Sequence, residues 1–180
     1  MEYRLINFEK EFEELSILYK NSWCKTYIGL LPEELLESFT YDKSKEKWIH
    51  FYNNEKNSFI YVAIDKTGGN EVICGFAACK PDDEEQSRGF LYSIHIKSEY
   101  KGKGIGKNLI MKSAKHFRDQ LGLTSISLRV VVGNDNAYNV YTKLGAEILK
   151  HQKMNYYKNV ITPEVCLVWN DINQLLLKSN

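Results

Sequence analysis

Residues 100–117 read YKGKGIGKNLIMKSAKHF, with Gly102, Gly104 and Gly106 set among Lys101, Lys103 and Lys107. A helical pattern starts at once, carried by Ile105, Leu109, Ile110, Ala114, Phe117 and Leu121, with Gly122 as its stop. Glycine is costly in a helix, but it allows positive φ and close approach of backbone amides to a ligand. The first N–H groups of a helix lack intrahelical partners and carry the positive end of its dipole. Such an end attracts phosphate, and flanking lysines extend the attraction. A Gly-rich turn with solvated lysines is the other reading of the same residues.

The surroundings narrow the choice. EYRLINF alternates like a strand, residues 9–21 are spaced like a helix, and Pro32 can open PEELLESF as its first helical residue. A third helix is expected around Lys43–Tyr52. SFIYVAID, EVICGFAACK and GFLYSIHIK then read as a β-meander, so the glycine stretch falls between a strand and a helix. TSISLRVVV is a further strand. A helix capped by Asn134 or Asp135 follows, with Ala137, Val140, Tyr141 and Leu144 as its inner face, then strands near Glu147–Tyr157 and Glu164–Trp169. This order predicts an α+β (mixed α/β) fold in a single domain over 1–180. No proline-rich linker or repeat divides it.

Composition excludes several classes. Net charge is +1 with both signs interspersed, which gives no case for a nucleic-acid partner. No run of eighteen apolar residues occurs, so no membrane span is expected, and the charged start MEYRLINFEKEFEEL lacks a signal-peptide core. Cys24, Cys74, Cys79 and Cys166 form no C-x-x-C pair, so reduced thiols, no metal and a cytoplasmic location are expected. Nucleotide motifs fail as well. Gly106-Lys107 is followed by Asn108 where a Walker loop needs Ser or Thr, and the glycine spacing and missing acid do not suit a dinucleotide fingerprint.

Two motifs together resemble those of the GNAT superfamily of acetyl-CoA-dependent N-acetyltransferases. Lys101-Gly102-Lys103-Gly104-Ile105-Gly106 is similar to the family's Q/R-x-x-G-x-G/A loop, with lysine first. NDNAYNVYTKLGA matches N-x-x-A-x-x-x-Y-x-K-x-G-F at Asn134, Ala137, Tyr141, Lys143 and Gly145, with Ala146 in the aromatic's place. The resemblance implies a mostly antiparallel twisted sheet flanked by helices. It implies acetyl-CoA as cosubstrate and a primary amine as acceptor, in a monomer or homodimer. It also implies that Lys101 to Gly106 wrap the pyrophosphate and that Ile94, His95 and Ile96 offer backbone groups to the pantetheine arm and thioester. Asn134 would bond the cofactor, and Tyr141 would protonate the departing thiolate. His95 and Tyr141 have plainer readings too, as a packed strand histidine and an apolar helix position.

The acceptor side is less legible. An alkylammonium must lose a proton before it can attack. The strand before the loop has Phe90, Tyr92 and Ser93, and the next has Arg129, where relatives carry an acid. No carboxylate is therefore assigned as base, and a water chain is expected. Trp23, Tyr27, Trp48, Phe51 and Tyr52 can wall an acceptor pocket or belong to the core. Asp82 to Glu85 can attract a cationic acceptor or form a solvated turn. A non-catalytic CoA-binding sensor is the alternative function, and a thiol-release assay across amines separates the two.

Overall fold

The strand–loop–helix unit is present and sits at the centre of the sheet. The computed structural model describes residues 1–158 and 160–178. The described strands are β1 (Glu2–Leu5), β2 (Phe59–Asp65), β3 (Val72–Pro81), β4 (Arg88–Ile96), β5 (Ser125–Val131), β6 (Glu147–Tyr157) and β7 (Val160–Trp169). They form one sheet in the order β1-β2-β3-β4-β5-β7-β6. Every neighbouring pair is antiparallel except β4 and β5. That parallel pair requires a crossover, supplied by α4 (Ile105–Leu121).

Helices cover both faces. On one, α4 buries Leu109, Ile110, Ala114 and Phe117 against Ala63, Leu91, Leu128 and Leu167, joined by Ile172 and Leu175 of α6 (Ile172–Leu177). Each of the larger side chains contributes about 1.5–3 kcal/mol by burial. Gly89 permits this approach, since a Cβ there would meet the Phe117 ring at 2.6 Å. On the other face, α1 (Phe8–Thr26) and α3 (Tyr41–Asn54) pack Leu15, Leu18, Tyr19, Trp48 and Phe51 on Ile60, Val62 and Phe76. Thr40 caps α3 by accepting from Lys43 N.

Several boundaries differ from expectation. β1 ends at Leu5 and α1 begins at Phe8, because Arg4 pairs with Glu11 and Asn7 N donates to the same carboxylate, which fixes the helix start. Pro32 is the N-cap of α2 (Glu33–Ser38), not its first residue, since its ψ of 135° is still extended. In α5 (Asp135–Lys143) Val140 is 47% exposed, and Tyr138 takes its expected place beside Ala137, Tyr141 and Leu144. The helix is only nine residues long, and the β-sheet beneath it selects the face.

Candidate active site

The central feature is a wedge between two strands. Leu91 and Leu128 form the last rung of the β4–β5 ladder. Beyond it β4 stays paired to β3 as far as Ile96, and β5 stays paired to β7 as far as Val131. A register shift between Ala78 and Cys79 skips Tyr92, so β4 bulges just where the strands part. Backbone groups along the wedge therefore lack a strand partner.

Antiparallel alternation identifies which ones. Lys97 N donates to Cys74 O at 2.8 Å, so His95, two residues back, also directs its N–H and C=O at β3. Ile94 and Ile96 turn theirs outward into the wedge. Across from them Val132 N donates to Pro163 O, which leaves the Val131 N–H facing inward, while Val131 O accepts from Asn134 N at 3.0 Å.

The glycine loop closes one end. Gly104 has φ 76° and is the N-cap of α4, and Gly102 has φ 77°. This left-handed backbone suits glycine and turns the chain into the helix. The first helical bond runs from Asn108 N to Gly104 O, so the Ile105 and Gly106 amides have no intrahelical acceptor. Asn108 Nδ2 also donates to Gly104 O, and Lys103 lies over the Tyr100 ring at 4.9 Å. Lys101 and Lys103 are exposed. These amides and cations can hold a pyrophosphate.

The start of α5 closes the other side. Asn134 Oδ1 accepts from Ala137 N, so the side chain caps the helix and has only Nδ2 left as a donor. Tyr141 lies about two turns inside, edge-on to Trp169 with centroids 6.0 Å apart. Its hydroxyl makes no hydrogen bond among the described residues, and burial raises it well above the usual tyrosine range, so it stays protonated. Charge on Tyr27 raises it further, although Tyr27 caps α1 on the opposite face of the sheet. The wedge thus brings residues from both faces together.

His95 is the sequence candidate that the geometry turns away. Its backbone faces β3, its Nδ1 lies 2.9 Å from Ser22 Oγ, and its ring packs on Tyr19 and Phe76. Burial, then the charges of Lys47 and Lys101, hold the imidazole down to about 3, so it is neutral near pH 7.

The acceptor face has been sorted by packing. Trp48 and Phe51 are core, and Tyr52 stacks on Phe8 at the exterior. Trp23 and Tyr27 stay half-buried at the C-terminal end of α1. The following turn lies over the wedge mouth, since a Cβ on Gly133 would meet Leu30 at 2.8 Å. Lys158 pairs with Glu34, tying α2 to the β6–β7 hairpin. Lys47 is enclosed by Tyr19, Trp48 and Tyr92 and donates to Tyr19 Oη at 2.6 Å; burial lowers its ammonium to about 8. The acidic turn is internally paired, Asp83 with Lys80, Glu84 with Lys150, and Asp82 with Ser127 and Arg88. Sequence reasoning missed Glu164, a buried carboxylate on β7, because only strand register carries it to the wedge.

A splayed parallel pair with a glycine loop at the crossover helix defines a CoA-dependent acetyltransferase fold. It is similar to PaiA N-acetyltransferase from Thermoplasma acidophilum in complex with coenzyme A (TM-score 0.66, 20% identity, covering 92% of this chain and 98% of that one). A model of the acetyltransferase (GNAT) family matches residues 22–146, and the chain belongs to that family. Relatives include the uncharacterized N-acetyltransferase YuaI of Bacillus subtilis, 27% identical over 168 residues, covering 92% of this chain and 91% of that protein. The spermidine N(1)-acetyltransferase of T. acidophilum is 27% identical over 149 residues, covering 82% and 89%. The protein is an acyltransferase that moves an acetyl group from acetyl-CoA to an amine.

Proposed function

We propose that acetyl-CoA lies in the wedge, with its pyrophosphate over Lys101 to Gly106 and its pantetheine arm along Ile94 and Ile96. The observation that carries this reading is the set of outward backbone groups on Ile94, Ile96 and Val131 beside the unpaired amides of Ile105 and Gly106. A backbone N–H of β4 polarises the thioester carbonyl, as preorganised donors do for a developing oxyanion. Asn134 Nδ2 remains to bond the cofactor. The Tyr141 hydroxyl donates to the leaving sulfur, and a thiol with an ordinary value near 8.5 is a tolerable leaving group.

The acceptor is a primary amine that enters on the opposite face, between the α1–α2 turn and the β6–β7 hairpin. Trp23, Tyr27 and Tyr156 border that entrance. The same face of the sheet carries the Lys47 ammonium on α3, among Tyr19, Trp48 and Tyr92, and the acids of residues 82–84 are paired within the chain. These features suit an acceptor with a single amino group at the reacting end better than a polycation. The test is thiol release from acetyl-CoA with spermidine, a primary alkylamine and a short peptide with a free N-terminus. Faster release with the alkylamine or peptide than with spermidine supports the reading, and preference for spermidine contradicts it.

A further inference from the structure

Glu164 is a buried carboxylate with no role in the steps above. It stands on β7 opposite Val131, in the last rung joining β5 to β7, and is 2% exposed. Val165, Leu167 and Trp169 enter the core beneath α4, so alternation turns Glu164 to the other face, where the acceptor enters. Tyr156 donates to its Oε1, and Gln152 Nε2 donates to its Oε2 at 2.8 Å. None of the ion pairs among the described residues includes it. With two neutral donors and no ion-pair partner among the described residues, the buried carboxylate is short of a direct counter-charge. Arg129, two residues before Val131 on the same face of the sheet, is a neighbouring cation whose charge also acts on Tyr156.

Its surroundings lead to the wedge. Tyr27, the residue that caps α1, is close enough to feel its charge: burial, then the charge of Glu164, pushes the Tyr27 hydroxyl up to about 12. Tyr27 in turn acts on Tyr141 at the wedge mouth. Adjacent strands lie about 4.8 Å apart. Glu164 is therefore one strand spacing from β5, which borders the proposed thioester site.

We infer that Glu164 is the counter-ion and proton acceptor for the substrate amine. The assignment rests on acetyl-CoA lying in the wedge. The acceptor enters as an ammonium and hydrogen-bonds to the carboxylate, supplying the missing positive charge. Glu164 takes one proton and becomes a neutral acid. The freed lone pair attacks the thioester carbonyl carbon, the C–N bond forms, and the C–S bond breaks. The second nitrogen proton passes to sulfur through the Tyr141 hydroxyl, which ends as it began. Glu164 returns its proton to solvent, so one ammonium and one thioester give one amide, one thiol and one proton.

The test measures amine-dependent thiol release against pH, using whichever of a primary alkylamine, spermidine and a short peptide is fastest with the wild type. Glu164→Gln keeps the shape and should lower kcat/KM about 100-fold near pH 7. That deficit should close as pH rises toward the value of the amine used, near 10.4 for an alkylammonium and about 8 for a peptide N-terminus, where the amine deprotonates unaided. Glu164→Asp keeps the charge and should retain the wild-type pH profile at reduced kcat, even if the Gln variant folds poorly. A wild-type rate and profile in Glu164→Gln, a Gln-like profile in Glu164→Asp, or no release by the wild type with any of the three amines overturns the assignment. Calorimetry with acetyl-CoA separates this from the cofactor reading. Glu164→Gln should bind like wild type and Gly104→Val should not, and normal binding by Gly104→Val would refute the cofactor site instead.

Discussion

Leu91 faces Leu128 on the last rung between β4 and β5, and beyond that rung neither strand pairs with the other. The outer partners hold on, β3 to Ile96 and β7 to Val131, so the separation is built into the sheet. The bulge at Tyr92 and the glycine turn into α4 both lie beside the opening.

Two glycines in the loop should respond differently. Gly106 has ordinary helical backbone, and a Cβ there meets nothing within 4 Å. Gly106→Ala should retain CoA affinity and leave the melting temperature unchanged or slightly raised, since alanine is favoured in helices by up to about 1 kcal/mol. Gly104 has φ 76°, and a β-branched residue there is strained and also shields the amides. Gly104→Val should lose most CoA affinity by calorimetry.

Tyr141→Phe isolates a hydroxyl. The ring keeps its contact with Trp169, and the lost group leaves no hydrogen-bond partner stranded among the described residues. Melting temperature and acetyl-CoA affinity should hardly move, while kcat falls roughly tenfold to a hundredfold. Full activity would remove Tyr141 from the mechanism.

Lys47 makes stability depend on pH in the alkaline range. Its folded value, about 8, lies below the unfolded value near 10.4. Between these limits the unfolded chain binds a proton that the folded chain lacks, so stability rises with pH. Below pH 8 the folded state carries the whole burial cost, partly offset by the three surrounding rings. Lys47→Met should therefore stabilise the protein at pH 7 by about 1–2 kcal/mol. The advantage should vanish toward pH 10.5, as read by denaturant melts across pH.

The legible parts of this protein were the local ones. Glycine and lysine spacing located the strand-to-helix turn and the end of α4, because both are written in consecutive residues, and Gly104 and Gly122 at the two ends of α4 adopt left-handed backbone. The β-meander and α4 were readable for the same reason. Glu164 was not, because Val131, Gln152, Tyr156 and Tyr27 reach it only through strand register and a returning turn. Val140 and Tyr138 exchanged places because a short helix offers two apolar faces and the sheet beneath it chooses. Nor could sequence show that His95 gives its backbone to β3, since that depends on which rung is hydrogen-bonded.

Amide hydrogen exchange with and without CoA tests the wedge most directly. The Ile94, Ile96 and Val131 amides face the opening, and those of Ile105 and Gly106 begin α4 without intrahelical acceptors. CoA should slow exchange at these five positions, while His95, already bonded toward β3, and the β1–β2 amides change much less. Slowed exchange confined to other strands, with these five unaffected at saturating CoA, would contradict the account.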